Sequence, residues 1–166
     1  MDIKTREFPA ARTYSAQFGS GYAAGPQGVT IPAYSRVTFK VNDYVTDWDV
    51  STMVTSDRPV VCERAMYGND RTWAHDSIGS YETRENWFLP EGCTGPGFET
   101  WVLVQNPGAT DVTCDLTFMT SAGEVPGPQD YPVPAGTRHS FNLNAYVTDW
   151  DVSTKVEATG DVVCER

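Results

Sequence analysis

Histidine occurs only twice in this 166-residue chain, at His75 and His139, and neither has a metal-ligand spacing around it. The sequence also lacks a Cys-x-x-Cys pair, a His-Glu-x-x-His helix, a phosphate-binding glycine loop and an Asn-x-Ser/Thr sequon. Zinc modules, zinc hydrolases and nucleotide-binding P-loops are therefore not expected. Basic residues are scarce: 12 Lys and Arg stand against 22 Asp and Glu, for a net charge of -10 and a pI near 4.5. That balance repels phosphate backbones and anionic lipid, so nucleic acid is not an expected partner. No apolar run is long enough to cross a bilayer, which argues against membrane insertion. No charged, apolar and small-residue leader opens the chain, so it reads as an excised mature piece or a cytosolic product, and the piece is preferred. No window of twelve residues carries a 3.6-residue apolar stripe, which argues against a helical bundle.

What is present is strand chemistry. Apolar residues make up 40% and charged residues 20%, too apolar for a disordered chain. Tyr, Trp, Thr and Val are plentiful, and 14 Gly and 11 Pro break the chain into short segments. Together these predict an all-β protein. A duplication then sets its organisation. The nine residues Tyr44 to Thr52, YVTDWDVST, return unchanged at Tyr146 to Thr154, and both copies run on to Val-Val-Cys-Glu-Arg at the same offset of 102. A repeat of this length divides the chain into two units, residues 1–78 and 79–166.

Alternation places the strands. Val112, Cys114, Leu116 and Phe118 alternate with polar neighbours as a half-buried strand should, and Tyr14, Ala16 and Phe18 take the same phase in the first copy. Val37, Phe39 and Val41 correspond to His139, Phe141 and Leu143. Pro32 and Pro134 each remove a ladder donor, so that strand lies at an edge or begins after the proline. Further strands are expected around Trp87 to Leu89, Trp101 to Val104 and Val50 to Val54, with VVCER in the first copy running on through AMYGNDRTWAHDSIG. One unit then holds six or seven strands, which suits two Ig-like antiparallel β-sandwich repeats, one or both incomplete at the chain ends.

The strings WFLPEGCTGPGFETWVLVQNPG, LTFMT, VPAGTRHSFNLN, VVCERAMYG and HDSIG resemble an uncharacterised tandem β-sandwich repeat of large secreted or surface-anchored bacterial proteins, over nearly the whole chain from Thr13 onward. The resemblance implies an extracellular or cell-surface location, neighbouring copies of the same repeat as partners, and no catalytic motif. The segment MDIKTREFPAAR departs from it, because it lacks the WVLVQNPG pattern.

Four cysteines are an even count, as bridges in an oxidising compartment require. The preferred pairing is Cys114 with Cys164 and Cys62 with Cys93. The alternatives are a Cys93–Cys164 bridge, or four reduced core thiols. The trio Asp47, Trp48, Asp49 and its copy Asp149, Trp150, Asp151 can offer oxygen ligands to calcium, or a sugar-stacking ring flanked by acceptors. The structural reading is favoured: each Asp caps its own backbone turn and each Trp plugs the end of a small core. His75, Asp76 and Ser77 lack the separated partners of a catalytic triad, and Glu63 with Arg64, like Glu165 with Arg166, suits a cross-strand ion pair. No catalytic residue, metal site or cofactor is expected. The chain reads as a non-enzymatic structural or adhesive module, with a head-to-tail filament completed by strand exchange as its sharper form. The alternative is a carbohydrate-binding module.

Overall fold

The computed structural model describes residues 12–18 and 21–166, with side chains from Ala23 onward. The expectations for MDIKTREFPAA, and for inward-facing Tyr14, Ala16 and Phe18, lie outside the described side chains. Among the described residues the chain is all-β with antiparallel pairing and no α-helix. Two short 3-10 turns, Val41–Asp43 and Leu143–Ala145, occupy equivalent places in the two copies. The chain forms two compact units. One gathers residues 23–46 and 52–81, the other residues 47–51 and 82–166, and the strands before residue 23 are divided between them.

In the N-terminal half of the chain, β1 (Arg12–Phe18) lies between β2 (Gly21–Gln27) and β3 (Val50–Ser56). A separate hairpin joins β4 (Glu63–Gly68) to β5 (Trp73–Ile78), pairing Glu63 with Ile78 through to Gly68 with Trp73. The sequence led us to expect one continuing strand here. Instead Asn69, Asp70 and Arg71 all take positive φ and reverse the chain, helped by a bond of 3.1 Å from the Thr72 amide to the Asn69 carbonyl. Asn and Asp tolerate this left-handed region better than other side-chain-bearing residues.

The second unit carries the core. Its strands are β6 (Arg84–Leu89), β7 (Trp101–Gln105), β8 (Val112–Thr120), β9 (Gly123–Pro126), β10 (Tyr131–Val133), β11 (Arg138–Asn142) and the 13-residue β12 (Ser153–Glu165). The early half of β12 runs between β8 and β6, with Val156 opposite both Leu116 and Trp87. Its pairing register shifts between Glu157 and Val162, and its last residues pair with β7, Cys164 opposite Val104. A bulge of this kind bends a strand and lets it serve two sheets. The sheet curls, and the expected alternation supplies its lining: Val112, Cys114, Leu116 and Phe118 from β8, Val102 and Val104 from β7, Val156, Val162 and Cys164 from β12, and Phe141 and Leu143 are all buried.

Trp87 closes one end of this core by donating its indole N–H to the carbonyl of Val162 (3.0 Å). Asn106 is buried but satisfied, its amide nitrogen donating to the carbonyls of Thr110 (2.8 Å) and Val133 (3.0 Å), as a buried amide must be. The edge-strand expectation is met at Pro134, where β11 starts four residues later and ends the sheet order. It is not met at Pro32, because no strand follows over residues 36–40.

Burial differs sharply between the copies. Val156 is fully buried, whereas its equivalent Val54 is only partly so; Phe141 is buried and Phe39 half-buried; and His139 is half-buried where Val37 is exposed. The expected strand over Val37, Phe39 and Val41 is not formed: residues 36–40 carry no regular structure where β11 stands in the second copy, and with Val37 exposed this segment has no core face to hold it extended. The turn before it is nevertheless reproduced. Ser35 and Thr137 each return an amide bond (3.2 Å) and a hydroxyl bond (2.7 Å) to the proline three residues before. Tyr34 and Gly136, at matching positions in that turn, both take positive φ, 58° and 69°.

Candidate functional site

The repeated Asp-Trp-Asp trio is a turn in both copies. Asp47 Oδ1 accepts the Asp49 amide at 3.1 Å, and Asp149 Oδ1 accepts the Asp151 amide at 3.0 Å, so the expected capping role of the first aspartate is realised twice. The expectation for the tryptophans is not met. Trp48 is 99% exposed and Trp150 60% exposed, so neither plugs a core. Trp150 instead lies on the backbone of Gly95 and meets Phe98 edge-on, with ring centroids 6.0 Å apart. The loop beneath it is tied down by Thr94, whose amide donates to the Asp149 carbonyl (2.9 Å) and whose hydroxyl accepts from the Asp149 amide (3.0 Å).

Asp49 has a different partner. Within the second unit its Oδ1 accepts from Arg138 Nη1 at 2.8 Å and from the Ser140 hydroxyl at 2.9 Å, while Arg138 Nη2 donates to Ser140 Oγ at 2.8 Å. The Arg138 side chain is 2% exposed, and that of Asp49 is 48% exposed. A buried guanidinium needs such a partner, because an uncompensated charge in the protein interior is strongly unfavourable. Arg138 Nε finds no partner among the described residues. Asp49 and Arg138 also line a cleft of about 270 Å³, together with Tyr131, Pro134, Thr137 and His139.

His139 sits at its wall with Nδ1 3.2 Å from the Tyr131 hydroxyl and its ring against Tyr131 and Phe141. Burial lowers its pKa from the ordinary imidazole value; Asp49 opposes that shift and Arg138 adds to it. Sequence reading singled out Asp49 and did not select Arg138, Ser140 or Tyr131. The available signal was that arginine occurs at equivalent places in both copies, Arg36 and Arg138, followed two residues later by a hydroxyl, Thr38 or Ser140.

Among the described residues no three His, Cys, Asp or Glu side chains converge as a metal site would require. All four cysteines are free thiols: Cys62 and Cys93 are half-buried, Cys114 and Cys164 buried. Burial, with Asp115 adding, pushes the Cys114 thiol up to about 11. Cys164 is raised chiefly by burial, with Cys114 adding, and both belong to the same buried cluster. His75 and Ser77 lie on one face of β5, where the Arg64 guanidinium reaches both at 3.2 Å. Arg166 pairs with Glu91 at 2.7 Å. No described helix is long and apolar enough to cross a membrane.

These features define an all-β chain with a curled antiparallel sheet in its second unit and a duplicated Asp-Trp-Asp turn. No protein-family model and no curated protein matches it. Among solved structures the chain is similar to the Anabaena sensory rhodopsin transducer, at 23% identity and a TM-score of 0.44, over 50% of this chain and 94% of that one.

Proposed function

We propose that the chain is a non-enzymatic structural module, a segment of a tandem β-repeat array that spaces or displays its neighbours at a cell surface, each repeat being an Ig-like sandwich built on the curled sheet. One observation supports this reading above the others. The two copies keep the same Asp-Trp-Asp and Pro-x-x-Ser/Thr turns while their surroundings differ, so what recurs there is a backbone form rather than a constellation of reactive side chains. In the oxidising setting of a cell surface, Cys114 and Cys164 are the pair to close first, since both belong to the same buried cluster.

The test is a concatemer of the full chain. In small-angle scattering, a mechanical array lengthens in proportion to the number of chains joined. A maximum dimension growing only as about the square root of that number, as a flexible string does, would refute the reading.

The second reading, a carbohydrate-binding module, draws support from Trp48, which stands 99% exposed between two aspartates. Exposed indoles are suitable stacking surfaces. A glycan array probed with the full chain and with Trp48→Ala separates the two: signal lost in the variant favours sugar binding, and silence in both favours the structural module.

A further inference from the structure

The strands β10 and β11 stand at opposite ends of the second unit's sheet order, yet they are consecutive in the chain, and the Pro134 to Thr137 turn joins them without a ladder between them. Side chains span this seam instead: the Tyr131 ring meets His139 and Phe141, with centroids 4.5 and 4.9 Å away. The cleft of about 270 Å³ opens here, lined by Tyr131, Pro134, Thr137, Arg138, His139 and Asp49. All six residues belong to the second unit.

Several polar groups in this lining keep hydrogen-bonding capacity. Asp49 Oδ1 accepts from Arg138 and Ser140, but the side chain is 48% exposed, and a carboxylate offers roughly four acceptor sites. Arg138 is buried, and its Nε has no partner among the described residues. An unsatisfied buried donor of this kind calls for a bound group that accepts from it. The Thr137 hydroxyl donates to the Pro134 carbonyl at 2.7 Å and keeps its own lone pairs. The bond between His139 Nδ1 and the Tyr131 hydroxyl, at 3.2 Å, uses only one of the two ring nitrogens. Charge is balanced as well. Asp49 offsets Arg138, and burial holds the His139 pKa below its ordinary value, which keeps the ring neutral at pH 7.

A neutral cleft that offers donors and acceptors beside aromatic and proline faces suits a neutral ring with adjacent hydroxyls, since each hydroxyl can donate and accept at once. Size agrees, because ligand sites usually run from roughly 300 to 1,000 Å³ and this one lies at the bottom of that range. We propose that the cleft binds a single sugar ring, whose hydroxyls hydrogen-bond Asp49, Arg138 and the Tyr131 hydroxyl while its apolar face lies on Tyr131 and Pro134. The site goes beyond the structural-module reading and does not rest on it. It is also separate from the exposed indole of Trp48, which is not among the lining residues.

The test follows the amide chemical shifts of the full chain while methyl glycosides of glucose, galactose, mannose and N-acetylglucosamine are added, with sodium acetate as the ionic control. At least one glycoside should move the Thr137, Arg138 and His139 amides saturably, with a Kd on the order of 1 mM, the weak end of specific binding. Acetate should move none of them. Tyr131→Phe keeps the ring and should weaken binding about two- to tenfold, the worth of one neutral hydrogen bond, whereas Asp49→Asn should weaken it about tenfold or more. Asp49 also fastens a turn, so Tyr131→Phe decides the matter if Asp49→Asn unfolds. Trp48→Ala should leave the Kd unchanged. No saturable shift of these amides up to about 10 mM, tenfold above that Kd, the same shifts with acetate, or unchanged binding in Tyr131→Phe would each overturn the site. Binding lost in Trp48→Ala would also overturn it, by giving the sugar to the exposed indole. A silent titration beside a concatemer that lengthens in proportion would remove the cleft and leave the structural module standing.

Discussion

The indole of Trp150 lies so close over Gly95 that a Cβ placed on that glycine would stand 2.9 Å from Trp150 Cδ2. Gly95 is thus required for close approach rather than for an unusual φ. Gly95→Ala should lift Trp150 from its bed against Phe98 and cost about 1–3 kcal/mol, the usual range for forcing extra volume into a packed site. Gly79→Ala, where the nearest atom is the Cys62 carbonyl oxygen at 4.0 Å, should stay within about 0.5 kcal/mol. Urea midpoints of the two variants check the contrast, and equal midpoints would contradict it.

The two copies should respond unequally to the same substitution. Val156 is fully buried against Leu116 and Trp87, and truncating it to Ala should cost about 1.5–3 kcal/mol. Val54, its half-buried equivalent, should lose less than about 1 kcal/mol on the same change. Equal losses would mean that the first unit packs as tightly as the second.

Thiol labelling should follow burial. Cys62 and Cys93 are half-buried, whereas Cys114 is buried with its thiol pushed up to about 11 and Cys164 is raised by burial and by Cys114. Since the thiolate is the reactive form, a maleimide pulse at neutral pH read by peptide mass spectrometry should mark Cys62 and Cys93 first. Cys114 and Cys164 should label only after denaturant is added. Early labelling of Cys164 would refute this order.

Acid should weaken the second unit through His139. Its folded pKa lies below the ordinary imidazole value, chiefly because of burial, with Asp49 opposing and Arg138 adding to the shift. The unfolded chain therefore takes up this proton at a higher pH than the folded chain does. The contribution is whole above about pH 6.5 and is lost as pH falls below that value, until the folded ring itself titrates. The urea midpoint between about pH 7.5 and 5.5 should fall more steeply for the native chain than for His139→Gln. Identical slopes would contradict the assignment.

Much of this fold was legible in the residues, and the reasons are local. The alternation in β8 named its four buried residues because a strand with one face on a core must alternate. Pro134 marked the start of an edge strand because proline cannot donate to a ladder, and Asp47 and Asp149 capped their turns because an aspartate reaches its own backbone two residues on. The reversal at Asn69 to Arg71 also carried a local signal, the Asn-Asp pair, which a strand reading passed over. What local pattern did not carry was the company each turn keeps. Trp48 and Trp150 sit in identical nonapeptides, yet only Trp150 has Gly95 and Phe98 beneath it. Asp49 finds its arginine 89 residues away. Such pairings are decided by how strands stack, on which spacing along the chain is silent.

The contact of Asp49 with Arg138 ties the first copy of the repeated turn to β11, and a double-mutant cycle on it is the most direct test of the account. Asp49→Asn, Arg138→Met and the pair are compared by equilibrium unfolding of the full chain. Asp49→Asn alone should cost about 1–3 kcal/mol by leaving a buried charge poorly satisfied, and the cycle should give a coupling of at least about 1 kcal/mol. Losses that add to within about 0.5 kcal/mol would mean that the two side chains do not hold each other and that the turn is fastened by something else.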